Sequence, residues 1–396
     1  MQKQFDIVVY GATGFTGRLV VEYLMVRYPQ NTGSAPVVRW AMAGRSLDKL
    51  RAVRDELGAP QDTALLVVDS TEAASLKAMT DATRLVLTTV GPYQLYGSEV
   101  VAACAASGTD YVDLCGEPAW MRAMMDAHEQ QAKASGARIV FSCGFDSIPF
   151  DLGVLLAQLE TKKRYGVPAN RIRGRVRRMK GTFSGGTSAS LRETLVAARN
   201  NPAVLELLRN PFSLVPGFTG PEQPQGNKPM LDEAIGMWVA PFVMAAINTR
   251  NVHRSNFLLG YPYGTDFVYD EMIVTGAGEK GEALAQTIAA DRSLGSKEGG
   301  PQPGEGPSLA EREAGFYDLM FLAHTAQGDT LTVGVQGDRD PGYGSTSKMV
   351  VEAAVCLLTQ AQATPGGIWT PASAMGEVLI PRLVANAGLR FSVEST

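Results

Sequence analysis

Residues 5–17, FDIVVYGATGFTG, decide the fold of this chain. An apolar run ends in three glycines spaced three residues apart, Gly11, Gly14 and Gly17, and a helix-like segment follows at once. This is the strand, turn and helix that open a dinucleotide-binding unit: the glycines allow a tight turn, an approach of the main chain to a pyrophosphate, and close packing of helix on strand. The N–H groups at the start of that helix then face the phosphates. A strand–turn–helix without a ligand is the alternative.

The composition is typical of a globular enzyme. The chain has 396 residues, 45% hydrophobic and 19% charged, enough for two domains with sizeable cores. Its net charge of -4 gives no reason to expect nucleic-acid binding. The four cysteines show no C-x-x-C spacing and no paired histidines, so we expect a reduced cytoplasmic setting and no metal site. We expect no signal peptide, since a strand begins within a few residues.

One apolar segment, residues 234–248 (AIGMWVAPFVMAAIN), bears on membrane contact. It is shorter than the roughly 20 residues that a spanning helix needs, and Pro241 interrupts it. A buried core helix is the favoured interpretation. A surface that meets lipid at the membrane periphery, or a greasy substrate, is the alternative.

Strand and helix patterns alternate through residues 1–150, as a doubly wound parallel sheet requires. Predicted strands cover residues 5–10, 37–43, 65–68, 85–90, 111–113 and 138–141, with helices at about 98–107 and around 120–125. Beyond Gly144, helices are predicted at 150–159, 184–198, 345–361 and 372–387, and strands at 256–259, 267–274, 318–327 and 330–336. Residues 293–312, rich in Gly, Pro, Ser and Glu, are predicted to form a mobile loop.

Four arginines alternate along one further predicted strand. Arg171, Arg173, Arg175 and Arg177 share one face of it, because side chains in a strand alternate sides. A solvated face that guards a sheet edge is favoured. An anion-binding face is the alternative.

The end of the second predicted strand favours NADP over NAD. NAD-type folds place an acid there for the ribose 2′-hydroxyl, whereas this chain has Gly44, Arg45 and Ser46. An arginine fork suits a 2′-phosphate, and a serine can add a hydrogen bond. Alternatively, Ser46 caps the next helix and Arg45 is exposed, and both interpretations can hold at once.

Other cofactor contacts are expected where the third and fourth predicted strands end. Asp69 and Ser70 would lie near the adenine, and residues 90–93 near the middle of the cofactor or its nicotinamide. The predicted cofactor-binding residues are Gly11, Thr13, Gly14, Phe15, Thr16, Gly17, Gly44, Arg45, Ser46, Asp69, Ser70, Val90, Gly91, Pro92 and Tyr93.

Motifs along nearly the whole chain resemble the saccharopine dehydrogenase-like oxidoreductases, a family that includes the trans-acting enoyl reductases of mycobacterial lipid synthesis. The matching pieces are GATGFTG (11–17), AGRS (43–46), VGPYQLYG (90–97), CAASGTDYVDLCGE (104–117), GFDSIPFDLG (144–153), SGGT (184–187), RSN (254–256), PGEGP (303–307), PGYGSTSKM (341–349) and TPASAMGE (370–377). GFDSIP and DYVDLCGE are the more specific of these. The resemblance implies an α/β fold with a nicotinamide cofactor, an N-terminal Rossmann domain, an inserted second α/β domain and a C-terminal helical segment that returns to the first.

The resemblance divides the chain into an NADP-binding domain at residues 1–146, a substrate and oligomerisation domain at 147–340, and returning helices at 341–396. We expect a homodimer. A saccharopine-type substrate would need cationic or hydroxyl groups around two carboxylates, whereas residues 230–248 are rich in Met, Phe, Trp and Ala. This favours a lipid or polyketide acyl substrate. A reductase of an amino-acid conjugate and a non-catalytic NADP-binding protein are the alternatives.

Enoyl reduction needs a group that stabilises a developing oxyanion and an acid that protonates carbon. Tyr93 is the first candidate, followed by Cys115 and Glu117 and then by Asp146 and its neighbour Ser147. Tyr93 could equally pack on the cofactor, Glu117 could begin a helix, and Asp146 could cap one. His128 is discounted as a surface residue, and a structural role is favoured for His253 and His324. For His253, which lies near the apolar segment, a position facing the substrate is the alternative.

We expect the active site in a cleft between the two domains. Residues 184–187 would offer N–H groups at a helix start to a carbonyl or carboxylate oxygen. The segment around Trp238 and Phe242 would wall an acyl chain, with core packing as the slightly favoured alternative.

Overall fold

The first sheet is built by the alternating part of the chain. A computed structural model of the protein describes residues 3–30, 38–181, 185–291 and 305–394. The strands of this sheet are β1 (Phe5–Tyr10), β2 (Trp40–Gly44), β3 (Leu65–Val67), β4 (Thr83–Thr88), β5 (Asp110–Val112), β6 (Arg138–Val140) and β13 (Gly367–Trp369). They are parallel and lie in the order β13-β6-β5-β4-β1-β2-β3. This order, with the chain reversing beside β1, confirms the predicted Rossmann topology.

Helices cover both faces of the first sheet, because alternate side chains of its strands point to opposite sides. Ile7 and Val9 of β1 belong to one hydrophobic core, and Val8 and Tyr10 to the other. The helices of this part are α1 (Phe15–Arg27), α2 (Leu47–Glu56), α3 (Ala73–Ala82), α4 (Tyr93–Tyr96), α5 (Ser98–Ser107), α6 (Pro118–Ser135) and α13 (Thr346–Thr359). α1 packs against α13 on the first face, and α5 packs against α6 on the second.

A second, mixed sheet follows. Its strands are β7 (Arg171–Lys180), β8 (Met230–Asp232), β9 (Met237–Pro241), β10 (Val268–Gly276), β11 (Phe316–His324), β12 (Thr330–Gly337) and β14 (Leu389–Glu394), in the order β14-β12-β11-β7-β10-β9-β8. The helices are α7 (Ile148–Tyr165), α8 (Gly185–Asn200), α9 (Pro202–Arg209), α10 (Ala245–Leu258), α11 (Gly278–Ala290), α12 (Leu309–Glu313) and α14 (Pro371–Asn386). α7 approaches the sheet so closely that a side chain at Gly153 would lie 2.3 Å from the Phe321 ring.

The arginine strand is central in this sheet, not an edge, so the favoured prediction of a solvated face is wrong. Arg175 is 2% exposed and donates to Asp232 at 2.7 Å and to Asp270 at 2.9 Å. Arg177 pairs with Asp318 at 2.7 Å. Because each buried charge has carboxylate partners, this face is an ion-pair array.

Residues 234–258 also differ from the prediction. Instead of a core helix they form β9 followed by α10, and the predicted strand at 256–259 falls on the end of α10. α10 gave no helical signal because it buries polar side chains, among them Asn248, Asn251 and His253, so its apolar residues lack the period of an amphipathic helix. Among the described residues, no helix is both long and apolar enough to cross a membrane.

The C-terminal segment returns to the first sheet, as expected. α13 lies between α1 and strands β4 and β5, and β13 extends the sheet beyond β6. The buried Glu352 of α13 accepts hydrogen bonds from the hydroxyl groups of Tyr23 at 2.8 Å and Tyr28 at 2.9 Å. The last strand, β14, joins the second sheet instead, a strand that the sequence did not predict. The domain boundaries at 146 and 340 stay a prediction, and residues 293–304 of the predicted loop lie outside the described residues.

Candidate active site

The glycine turn brings the main chain of β1, β4 and α1 into close contact. Gly11 adopts φ +92°, and a side chain there would lie 2.6 Å from Val90 Cγ2. A side chain at Gly17 would lie 2.1 Å from the Gly11 carbonyl oxygen, so only glycine lets α1 start this near the strand. α1 also begins without a side-chain cap and without an acidic residue in its first turn. Its first N–H groups are therefore suited to an anion.

A cavity of about 540 Å³ lies over this turn, at the carboxyl edge of the first sheet. Two thirds of the predicted cofactor residues line it: Gly11, Thr13, Gly14, Phe15, Thr16, Gly44, Arg45, Val90, Gly91 and Tyr93. Arg45 is the one lysine or arginine among the described lining residues, and no acid occupies the end of β2. The uncapped helix start and this arginine together fit a dinucleotide with a 2′-phosphate.

The other predicted cofactor residues do not line the cavity. Gly17 packs α1 onto the turn, and Ser46 caps α2 by accepting a hydrogen bond from Lys49 N at 3.4 Å. Asp69 accepts from Thr71 N at 2.9 Å and from the Thr71 hydroxyl at 2.8 Å, and these bonds lower its pKa. Ser70 is buried beside Tyr10, and Pro92 follows a cis peptide bond and begins α4. Their role in cofactor binding stays a prediction.

Three of the four candidate catalytic residues belong to a buried cluster beneath the cavity. The Tyr93 hydroxyl donates to Thr88 O at 3.4 Å and accepts from Leu114 N at 3.1 Å, and burial raises its pKa far above the usual value. Glu117 accepts from Tyr93 N at 2.8 Å and Gln94 N at 2.9 Å, which caps α4.

Cys115 completes the cluster and is buried beside Glu117, whose main-chain N–H donates to its sulfur at 3.4 Å. Burial and the nearby carboxylates of Asp113 and Glu117 raise the pKa of Cys115 well above the usual range. Tyr93 lines the cavity, whereas Cys115 and Glu117 do not. All three have structural partners, so these contacts do not favour a chemical role for any of them, and their catalytic role stays a prediction.

Asp146 differs from that cluster. It follows β6 and lines the cavity, and among the described residues it has no hydrogen-bond or ion-pair partner. Part of the residue is accessible, but protein surrounds the carboxyl group, and this desolvation raises the pKa of Asp146 to about 7. Ser147, not Asp146, is the N-cap residue of α7, so the capping alternative does not apply.

Behind Asp146 lies a buried polar network that the sequence did not predict. The Ser147 hydroxyl donates to Asn248 Oδ1 at 2.9 Å, and Asn248 Nδ2 donates to Glu271 Oε2 at 2.9 Å. Burial raises the pKa of Glu271 to about 8, and the charges of Asp270 and Asp146 act in the same direction. No local motif predicts a role for Glu271, because only the packing of α10 against β10 connects it, through Asn248, to Ser147.

The second part of the chain supplies the opposite wall of the cavity. α8 presents Gly186, Thr187, Ser190 and Thr194, while Ser184 lies outside the described residues. Phe242 lines the cavity as predicted for an acyl wall, and Trp238 does not. The apolar side chains of this wall are Met179, Leu191, Leu208, Phe242, Val243, Met244 and Ile247. The cavity therefore has a polar floor along the sheet edge and a largely apolar opposite wall.

A Rossmann sheet whose glycine turn leads into an uncapped helix, with a cleft at its carboxyl edge, is the architecture of a dinucleotide-binding protein. Residues 7–140 match the saccharopine dehydrogenase NADP-binding domain. A Mycobacterium tuberculosis protein named for the trans-acting enoyl reductases is 40% identical, over 97% of this chain and 96% of that protein. The trans-acting enoyl reductase of Mycobacterium leprae is 36% identical over 96% of each chain. The chain belongs to the saccharopine dehydrogenase-like oxidoreductase family, which confirms the resemblance seen in its motifs.

Solved structures show the same fold at much lower identity. Apo saccharopine dehydrogenase (L-Glu forming) of Saccharomyces cerevisiae superposes with a TM-score of 0.55 and 12% identity, covering 99% of this chain and 100% of that one. Homospermidine synthase of Legionella pneumophila, in complex with NAD, gives a TM-score of 0.54 and 11% identity, covering 99% and 92%. These similarities support the shared architecture.

Proposed function

We propose that the protein is an NADPH-dependent enoyl reductase acting on a lipid or polyketide-type acyl chain. The observation that carries the proposal is Asp146, which lines a cavity with an apolar wall and whose buried carboxyl has no partner among the described residues. A carboxylic acid with a pKa of about 7 is in part protonated at neutral pH, so it can deliver a proton. The names of the relatives support the reaction type.

The cavity residues divide the work of such a reduction. The N–H groups at the start of α1 and the Arg45 side chain would hold NADPH, which would supply a hydride. Leu191, Phe242 and Ile247 would bind the acyl chain and exclude water. The carboxyl of Asp146 would hold the proton and release it to the carbon next to the carbonyl as negative charge develops there. Hydride and proton together convert the C=C bond into a CH–CH bond.

The lining charges favour an acyl chain over an amino-acid conjugate. A saccharopine-type substrate brings two carboxylates, and these need cations or several convergent donors. Among the described lining residues, Arg45 is the one cation, and it stands at the end of β2, where the cofactor phosphate is expected. The apolar side chains of the opposite wall offer a carboxylate no partner, so among the described residues of that wall only the hydroxyl groups of α8 could meet such a substrate. A homodimer and a contact with lipid at the membrane periphery remain predictions.

The test is NADPH oxidation by the purified full-length protein with two substrate sets. One set contains 2-enoyl thioesters with chains of increasing length, and the other contains mixtures of an amino acid and a keto acid. We expect turnover with the enoyl thioesters and none with the amino-acid mixtures. Mass spectrometry should then show a product heavier than the substrate by two hydrogen atoms. Turnover of the amino-acid mixture alone would contradict the proposal. NADPH binding without any turnover would favour the non-catalytic alternative.

A further inference from the structure

A tyrosine from the C-terminal part of the chain lies against the glycine turn. The rings of Phe15 and Tyr343 are 5.1 Å apart and meet edge to face, at an angle of 79°. Tyr343 is 3% exposed, and its hydroxyl lies 3.3 Å from Thr187 Oγ1 at the start of α8. All three residues line the cavity. Three distant parts of the chain therefore meet at one place above the start of α1.

The short turn that carries Tyr343, residues 341–345, is held firmly by its surroundings. The Asp340 carboxylate accepts hydrogen bonds from Gly344 N at 2.7 Å and Tyr343 N at 3.0 Å. A side chain at Gly181, just beyond β7, would lie 2.6 Å from Pro341 Cδ. A side chain at Gly315, just before β11, would lie 2.4 Å from the Asp340 main chain. The second sheet thus fixes a hydroxyl group over the turn of the first.

We propose that Thr187 and Tyr343 form a hydroxyl pair, which we call the clasp, that binds the dinucleotide from the side opposite the sheet. This proposal rests on a dinucleotide occupying the cavity, as the proposed function assumes. Phe15 is the first residue of α1, where the pyrophosphate of such a cofactor binds. Since the Tyr343 ring packs on Phe15, the clasp would lie near the expected position of the pyrophosphate and of the ribose next to it. The 2′-phosphate is expected elsewhere, beside Arg45.

The chemistry of the pair suits that part of the cofactor. Each hydroxyl can donate one hydrogen bond and accept others, so the bond between the two is compatible with a further bond to a ligand. The pyrophosphate and the ribose present oxygen acceptors and hydroxyl donors. These groups are shared by NADPH and NADH. The clasp therefore contributes to the affinity for both cofactors alike, whereas Arg45 distinguishes them.

The experiment measures cofactor affinity in the full-length protein without any acyl substrate. Nucleotide fluorescence gives the Kd of NADPH and of NADH for the wild type and for Tyr343→Phe and Thr187→Val. We expect both variants to weaken the binding of both cofactors by roughly 10- to 100-fold, the effect of a lost hydrogen bond to a charged ligand. Thr187→Ser, which keeps the hydroxyl, should bind nearly as the wild type does.

The matched control is Tyr317→Phe. Tyr317 is 1% exposed, and its hydroxyl lies 2.9 Å from Ser345 Oγ in the same turn, but it does not line the cavity. This variant should leave both Kd values unchanged, so an effect on the fold near the turn is separated from an effect on the ligand. Wild-type affinity in both Tyr343→Phe and Thr187→Val, or a loss confined to NADPH, would overturn the proposal. Failure of the enoyl reduction would leave these Kd values, and so the clasp, unaffected.

Discussion

The two walls of the cavity are built by different means. The sheet-edge wall is built around the glycine turn, where Gly11 and Gly17 allow close contacts that a residue with a side chain could not make. The opposite wall consists of side chains from α8, α9 and the segment leading into α10. Glycine turns suit the groups that all dinucleotides share, whereas a wall of side chains can change its substrate by substitution. We therefore expect cofactor binding to depend mainly on the sheet-edge wall and substrate choice on the opposite wall, with the clasp as the exception.

The largest effect is expected at Asp146, which stands where the two walls meet. Asp146→Asn removes the proton donor and should lower kcat by roughly 100- to 10,000-fold, the usual contribution of a general acid. The acid form of the wild type prevails below its pKa of about 7, so its kcat should be level at low pH and fall about tenfold per unit well above pH 7. Steady-state kinetics between pH 5 and 9 measures both effects.

The control for Asp146→Asn is the Kd of NADPH, which should not change.

A stability measurement adds a second test of the same carboxyl. Since burial raises its folded-state pKa, the folded protein holds this proton up to about pH 7 while the unfolded chain loses it near pH 4. The stability contributed by the neutral acid is lost as pH rises through that window. The asparagine variant should therefore melt higher than the wild type at pH 8, and an unchanged pH–rate profile would exclude Asp146 as the acid.

A second prediction tests the support beneath the sheet-edge wall. Glu352 of α13 is fully buried, accepts from Tyr23 and Tyr28 of the first helical layer, and pairs with Arg382 at 2.6 Å. Glu352→Ala removes the carboxylate partner of that arginine and the acceptor of both tyrosines, and it should lower the free energy of unfolding by about 3–5 kcal/mol. Denaturant titration measures this.

Asp81→Asn is the control for Glu352→Ala, since Asp81 pairs with Lys77 in an exposed i,i+4 pair and its loss should not be measurable. Equal stability of the two variants would show that the returning segment does not support the first sheet. In the same sense, a soluble fragment of residues 1–150 with full NADPH affinity would count against the dependence of the first sheet on α13.

The sequence predicted the sheet-edge wall well because its geometry is local. Gly11, Gly14 and Gly17 lie within one strand, turn and helix. Their spacing alone predicts the close main-chain contacts between that strand and that helix. Asp146 could be proposed as a candidate because it lies in the turn that follows β6 of the same sheet. What could not be predicted was its isolation from partners, which depends on the elements that surround it.

Beyond Gly186, Thr187 and Phe242, the residues of the opposite wall were not predicted, and neither was the clasp, for a physical reason. Residues on α8 and α10 that face a cavity have the same pattern as residues that face a core, so periodicity cannot distinguish them. α10 buries so many polar side chains that most of it was not predicted, and its last residues, 256–258, were predicted as a strand. Tyr343 and Thr187 are 156 positions apart, and only the packing of two sheets brings their hydroxyl groups together.

A third prediction concerns cofactor choice at the sheet-edge wall. Arg45→Ala removes the one cation among the described lining residues, and a lost charged contact costs about 1.5–3 kcal/mol. The Kd of NADPH should therefore rise roughly 10- to 100-fold while that of NADH stays nearly the same. The control is Arg51→Ala, which removes an exposed arginine of α2 that pairs with Asp48 at 3.7 Å. Equal affinity of the wild type for NADPH and NADH would contradict the assignment of Arg45 to the 2′-phosphate.

The smallest effect is expected at the apolar wall, where many side chains share the substrate. Leu191 of α8 is half-buried and lines the cavity, so Leu191→Ser should lose about 1 kcal/mol of apolar contact with an acyl chain. kcat/KM for a long-chain enoyl thioester should fall roughly fivefold, and the value for a four-carbon one should not change. Leu195→Ser is the control, because Leu195 lies one turn further along α8, is 44% exposed and does not line the cavity. Because only contacts with the distal chain distinguish the two substrates, an equal loss for both would mean that Leu191 supports the fold of α8 and that the acyl chain binds elsewhere.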